Sequence, residues 1–119
     1  MELEIILEQE DSKKGIIHLK NEIDKTGIEG ISAAEISRVP SKENEQGGGD
    51  LLNSIKMLIV AAQKPLVELV KCLQKYVDNY RTKITIPRKN GKDIVIEHGR
   101  SMTPEQLKEI VVSILQNNP

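Results

Sequence analysis

From Leu51 to Tyr80 the chain carries Leu51, Ile55, Leu58, Ala62, Leu66, Leu69, Leu73, Tyr76 and Tyr80 at steps of three or four residues. These steps average about 3.6 residues, the period of a straight α-helix. Leu52, Ile59, Val60, Val67, Val70 and Val77 widen the stripe well beyond a narrow seam. Pro65 interrupts it, because proline cannot donate to the carbonyl four residues back and its ring crowds that turn. Either one helix kinks there, or a second helix begins with Pro65 in its first turn. Gln63 and Lys64 are poor N-caps, so the pattern favours one kinked helix with Asp50 as its cap. Such a helix spans about 45 Å at 1.5 Å per residue. That exceeds the width of a domain of 119 residues. Part of the apolar face, with Leu58, Ala62, Leu66, Leu69 and Leu73 on it, is therefore expected to overhang the core and meet a partner.

The remaining segments read as strands and shorter helices. "LEIILE" (3–8) alternates with Leu3, Ile5 and Leu7 on one face, a strand pattern. Ile16, Leu19 and Ile23 fall at helical spacing behind Asp11 or Ser12 as cap, and Gly27 suits the left-handed residue that closes a helix over 13–26. "AAEISRV" (33–39) is a weaker strand stopped by Pro40. Residues 41–49 are polar and glycine-rich, with no apolar anchor, and are expected to form a mobile surface loop. "TKITIP" (82–87) and "DIVIE" (93–97) flank Asn90-Gly91, which supplies the positive φ values of a tight hairpin turn. A final helix starts at Thr103 as N-cap, with Pro104 in the first turn, Gln106 closing a capping box and Met102 and Leu107 forming a hydrophobic staple. The expected fold is a single α+β domain over residues 1–119, in the order β-α-β-α-β-β-α, with a small mixed sheet against the kinked helix and the C-terminal helix.

Composition narrows the function. The core must be aliphatic, since Phe and Trp are absent and only Tyr76 and Tyr80 carry large rings. Seventeen basic and eighteen acidic residues leave a net charge of −1, too little for a global field towards nucleic acid or an anionic membrane. The distribution is uneven: residues 1–11 hold five acids and no base, and residues 81–92 hold Arg81, Lys83, Arg88, Lys89 and Lys92 with no acid. The basic run offers nucleic acid a contact but lacks the aromatic platforms that single-strand binders use, so nucleic-acid binding stands only as an alternative. A plain homo-oligomeric structural domain is another.

Catalytic and cofactor chemistry find little support. The "GGGD" at 47–50 is followed by no Lys-Ser or Lys-Thr pair, and Asp50 would repel phosphate. His18 and His98 lie 80 residues apart, and with Cys72 as the only cysteine a structural zinc site and an intrachain disulfide both lack donors. Near His98, "EHGRSMT" misses the glycine that a nucleophile elbow requires after its serine. Cys72 borders the apolar stripe, where a small half-buried hydrophobe is the simpler reading. Neither an enzyme, a cofactor nor a metal is expected. Lys56, Lys64, Glu68, Lys71 and Lys75 break the long stripe, whose longest uninterrupted apolar run is 57–62. A membrane span needs ~20 such residues. The N-terminus alternates acids and aliphatics, unlike a signal peptide, so a cytoplasmic location is the default.

The order and texture of the chain resemble the effector-associated constant component family, small bacterial proteins of NTP-dependent conflict systems. The resemblance runs over nearly the whole chain. It rests on the opening "MELEIILE", the glycine-rich "ENEQGGGD" before a long apolar stretch, and "TKITIPRKNGKDIVIEH" followed by "MTPEQLKEIVVSIL". It implies a non-catalytic constant partner that accompanies interchangeable effectors, such as trypsin-like or caspase-like peptidases, and relays an infection signal to them. On this reading the partner is a co-encoded protease or NTPase effector. The contacts are expected on Leu58, Ala62, Leu66, Leu69 and Leu73 of the stripe and on Arg88, Lys89 and Lys92 of the hairpin.

Overall fold

The computed structural model describes residues 1–8, 12–40, 51–89, 91–100 and 102–116, with 12–13, 38–40 and 51–52 described by their backbone alone. In chain order the elements are β1 (Glu2–Glu8), α1 (Ser12–Thr26), β2 (Ile31–Pro40), β3 (Leu51–Ile59), α2 (Gln63–Tyr80), β4 (Lys83–Ile86), β5 (Ile94–Glu97) and α3 (Pro104–Gln116). The fold is α+β, with one strand more than the sequence pattern suggests. The expected loop at 41–49 and the expected caps Asp11 and Asp50 lie outside the described residues.

The strands form one sheet in the order β2-β3-β1-β4-β5. Every neighbouring pair is antiparallel, so the sheet is not the mixed one expected. β1 sits at its centre because its alternation gives it one fully apolar face. Leu3, Ile5 and Leu7 are buried opposite Met57, Ile55 and Asn53 of β3, and Leu7 also faces Ile84 of β4. The helices close this face. Ile16, Leu19 and Ile23 of α1 join Leu66, Leu69, Val70, Leu73, Tyr76 and Val77 of α2 and Val111 and Ile114 of α3 in one core with the strands. Among the described residues, the opposite face of the sheet carries none of this helix packing.

The long kinked helix does not form. Residues 51–59 are strand β3, paired with β1 on one side and β2 on the other, and the helix begins only at Gln63. The helix-facing buried set recurs at every second residue (Asn53, Ile55, Met57, Ile59), Ser54 on the other face is buried as well, and the pairing on both sides satisfies the backbone without a helix. Pro65 falls on the third residue of α2, where the missing N–H belongs to a group with no intrahelical partner in any helix. The poor caps do not prevent a start there: Ala62 takes the N-cap position in extended backbone (φ −144°, ψ 158°) with no side-chain cap. At 18 residues α2 fits within a molecule of 39 × 30 × 29 Å, and the expected overhang disappears.

Other local signals hold. Gly27 closes α1 at φ +67°. The capping box of α3 is present in both directions: Thr103 N–H donates to Gln106 Oε1 at 3.0 Å, and Gln106 N–H donates to Thr103 Oγ1 at 3.2 Å. The β4–β5 hairpin forms with Ile86 opposite Ile94, but its register is centred on residue 90 and leaves a connection of residues 87–93 in place of a two-residue turn. Gly91 adopts φ +121°, and Asn90 lies outside the described residues.

Candidate functional site

Strand register arranges the open face of the sheet into cross-strand rows. One row is uncharged: Ser37, Ser54, Ile6, Thr85 and Val95 lie side by side across all five strands. On one side of it runs Glu35, Lys56 and Glu4, and beyond that Ala33, Leu58 and Glu2. On the other side runs Glu8, Lys83 and Glu97. Ion pairs tie two of these rows internally, Lys83 Nζ to Glu8 at 3.0 Å and Lys56 Nζ to Glu4 at 3.7 Å. Five glutamates against two lysines and Arg100, whose Nε lies 3.6 Å from Glu97, still leave a surplus of two negative charges. Within this acidic field Leu58 is 49% exposed and Val95 45% exposed. Face and chemistry together suit an apolar, basic partner surface.

The expected site residues divide. Leu58 is on the surface, but as an outward residue of β3. Ala62 is half-buried at the start of α2. Leu66, Leu69 and Leu73 have no exposed surface at all and pack against the sheet. They belong to the core, and a partner cannot reach them. Arg88 is half-buried in the β4–β5 connection, where its backbone N–H donates to Asp93 Oδ1 at 3.4 Å, while Lys89 and Lys92 are exposed near the tip. The hairpin tip and the acidic face thus form two separate charged regions. Val95 and Ile6 are absent from the expected set, although the alternation in "IVIE" and "LEIILE" marks both as outward partners of buried neighbours.

A groove of about 820 Å³ lies elsewhere, between α1 and α2, lined among others by Glu22, Thr26, Lys71, Cys72, Lys75 and Tyr80. Cys72 Sγ lies 3.6 Å from Thr26 Oγ1. Burial pushes the thiol upward, against the opposing effect of the Thr26 hydrogen bond, so the nucleophilic thiolate is disfavoured at neutral pH. Tyr76 is also pushed up, first by burial and then by Tyr80 and Glu22. Its hydroxyl donates to the Gly15 carbonyl at 3.0 Å and holds α1 against α2. His18 Nε2 meets Tyr80 Oη at 3.2 Å at the same junction. These contacts lock two helices together. His98 is exposed after β5, and Ser101 lies outside the described residues. Among the described residues there is no group of three or more His, Cys, Asp or Glu placed to hold a metal ion, and no helix is long and apolar enough to cross a membrane. No family model, curated protein or solved structure matches the chain.

Proposed function

We propose that this protein is a non-catalytic interaction module of a bacterial conflict system, which relays a signal in the cytoplasm to a co-encoded effector such as a protease. The observation that carries the reading is the open sheet face, where Leu58 and Val95 stand exposed among rows of acidic side chains. Two exposed apolar side chains set among charged rows give a partner both buried area and orientation. The family resemblance supplies the kind of partner. Docking runs through this face, with Arg88, Lys89 and Lys92 of the hairpin as a second, oppositely charged contact.

The test is capture of the purified co-encoded protease or NTPase by the tagged chain. Leu58→Arg and Val95→Arg point outward, so they are expected to keep the fold and abolish capture. Arg88→Glu, Lys89→Glu and Lys92→Glu together are expected to weaken capture more at low salt than at high salt. If no co-encoded protein is retained at any ionic strength, the proposal fails.

A further inference from the structure

We propose that β2 pairs with β2 of a second copy of this chain, forming an antiparallel ladder centred on Ile36 and joining two sheets into one. The two edges of the sheet differ in how they are protected. β5 is four residues long, too short to template much pairing, whereas β2 runs for ten residues, and no other described strand pairs with its outer side. Exposed edges of that length are normally blunted by lysine, proline or a bulge. In β2 the bulge and the proline stand only at the ends, and the charges between them are Glu35 and Arg38. A register irregularity lies between Ile31 and Ala33, Pro40 closes the strand, and Ala33–Val39 between them is regular and free of lysine and proline.

Antiparallel pairing of identical strands places a two-fold axis through one residue and its own copy. The midpoint of the regular stretch 33–39 is Ile36, so an axis there uses the full stretch on both chains. That register sets Ile36 against its copy on the helix-covered side and Glu35 against Ser37 of the other chain on the open side. A slip of one step towards the N-terminus brings Glu35 against its own copy, which like charges oppose. A slip in the other direction sets Ile36 against Arg38 and shortens the ladder.

Exposed apolar surface lies on the same side of this edge. Ile36 is 42% exposed although it shares a face with buried Ile55. On α1, His18 and Thr26 meet α2, through Tyr80 and Cys72. Ile17 is 48% exposed on the flank turned away from them, which looks over β2. A two-fold normal to the sheet keeps both helix layers on one side, so the seam covers Ile36 and brings the two Ile17 flanks towards each other. The open acidic faces remain free, and effector binding and self-pairing use different surfaces.

Sedimentation equilibrium of the full chain is expected to give a concentration-dependent dimer. Ile36→Lys is expected to raise its dissociation constant at least about tenfold, with circular dichroism and thermal melting unchanged at dilutions where both proteins are monomeric. Register is read by cysteine pairing with diamide as oxidant in a Cys72→Ser background. Ile36→Cys is expected to cross-link, because directly opposed residues have Cβ atoms about 4.5–5.5 Å apart. Ala33→Cys is not, because the register keeps it roughly 20 Å from its copy. A chain that stays monomeric at millimolar concentration, an Ile36→Lys dimer of unchanged affinity, or equal cross-linking at both positions would overturn the proposal. A dimer that captures no effector defeats only the functional reading.

Discussion

Strand β3 and helix α2 are neighbours in the chain and equally dependent on aliphatic side chains, yet they bury them differently. β3 hides Asn53, Ile55, Met57 and Ile59 on its helix-facing side, leaves Lys56 and Leu58 exposed on the other, and buries only Ser54 there. α2 hides Leu66, Leu69, Val70, Leu73, Tyr76 and Val77, a stripe one helical face wide. Backbone pairing makes the difference. β3 lies between two strands, so its N–H and C=O groups are met from both sides, while α2 meets its own. The switch occurs within three residues. Val60 N–H donates to the Gly30 carbonyl at 2.9 Å, Ala62 N–H donates to the Val60 carbonyl at 2.9 Å, and extended Ala62 then opens the helix. Adjacent apolar segments of similar content take opposite structures when only one has strands to lie between.

Proline tests this contrast most severely. Lys56→Pro removes a donor from a strand paired on both sides and is expected to abolish the cooperative unfolding transition. Gln63→Pro falls on the first helical residue behind an extended Ala62, where proline's fixed φ is favoured, and is expected to change stability by less than about 1 kcal/mol. A helix running through both segments would reverse the ranking. Circular dichroism with urea denaturation decides it, and a folded Lys56→Pro protein would break the comparison.

Alanine sharpens it next. Ile55 and Leu69 have no exposed surface, and Ile55→Ala and Leu69→Ala are each expected to cost about 2–5 kcal/mol, measured as a fall in the urea midpoint. Leu58→Ala is expected to stay within about 0.5 kcal/mol, since half of that side chain is already in water. If Leu69→Ala proved as mild as Leu58→Ala, the stripe on α2 would not be core.

What was legible in the sequence follows from the range of the interactions involved. The start of α3 could be read in full, because Thr103 and Gln106 cap each other across three residues. The β4–β5 hairpin was legible for the same reason, though the residue pair at its tip did not fix the register. β3 was not legible. Ile55 and Ile59 satisfy a helical and a strand period at once, and the deciding contacts come from β1, some 50 residues away, with Leu3 opposite Met57 and Ile5 opposite Ile55. The site inherited that ambiguity: Leu66, Leu69 and Leu73 look like an interaction surface only if the helix overhangs the core. The acidic N-terminal run was visible, but its arrangement into rows beside Leu58 and Val95 depends on strand order.

Ala62 gives the next test, at the boundary itself. Its backbone has the extended conformation of an N-cap, but its methyl group accepts no hydrogen bond from the first turn. Ala62→Asp supplies an acceptor and a negative charge at the positive end of α2, and is expected to add about 0.5–2 kcal/mol. In a continuous helix the same change would place a charge in mid-element and give no gain. The urea midpoint separates the two outcomes.

The smallest effect lies on the flank of α2 that meets α1. Burial raises the Cys72 thiol above its ordinary value of 9.0. As pH climbs past that value, the unfolded chain releases the thiol proton first and the folded chain keeps it, so the unfolded state holds fewer protons. Stability is therefore fully present below about pH 9 and declines as pH rises towards the folded value. Tyr76, raised from 10.0, adds a loss of the same sign at higher pH. Cys72→Ser is expected to flatten the earlier part of this decline and leave the later part, where Tyr76 still titrates between the helices. Urea midpoints between pH 8 and 10 should show the difference as a change in slope; identical slopes in the two proteins would mean that the thiol is no more buried when folded than when unfolded.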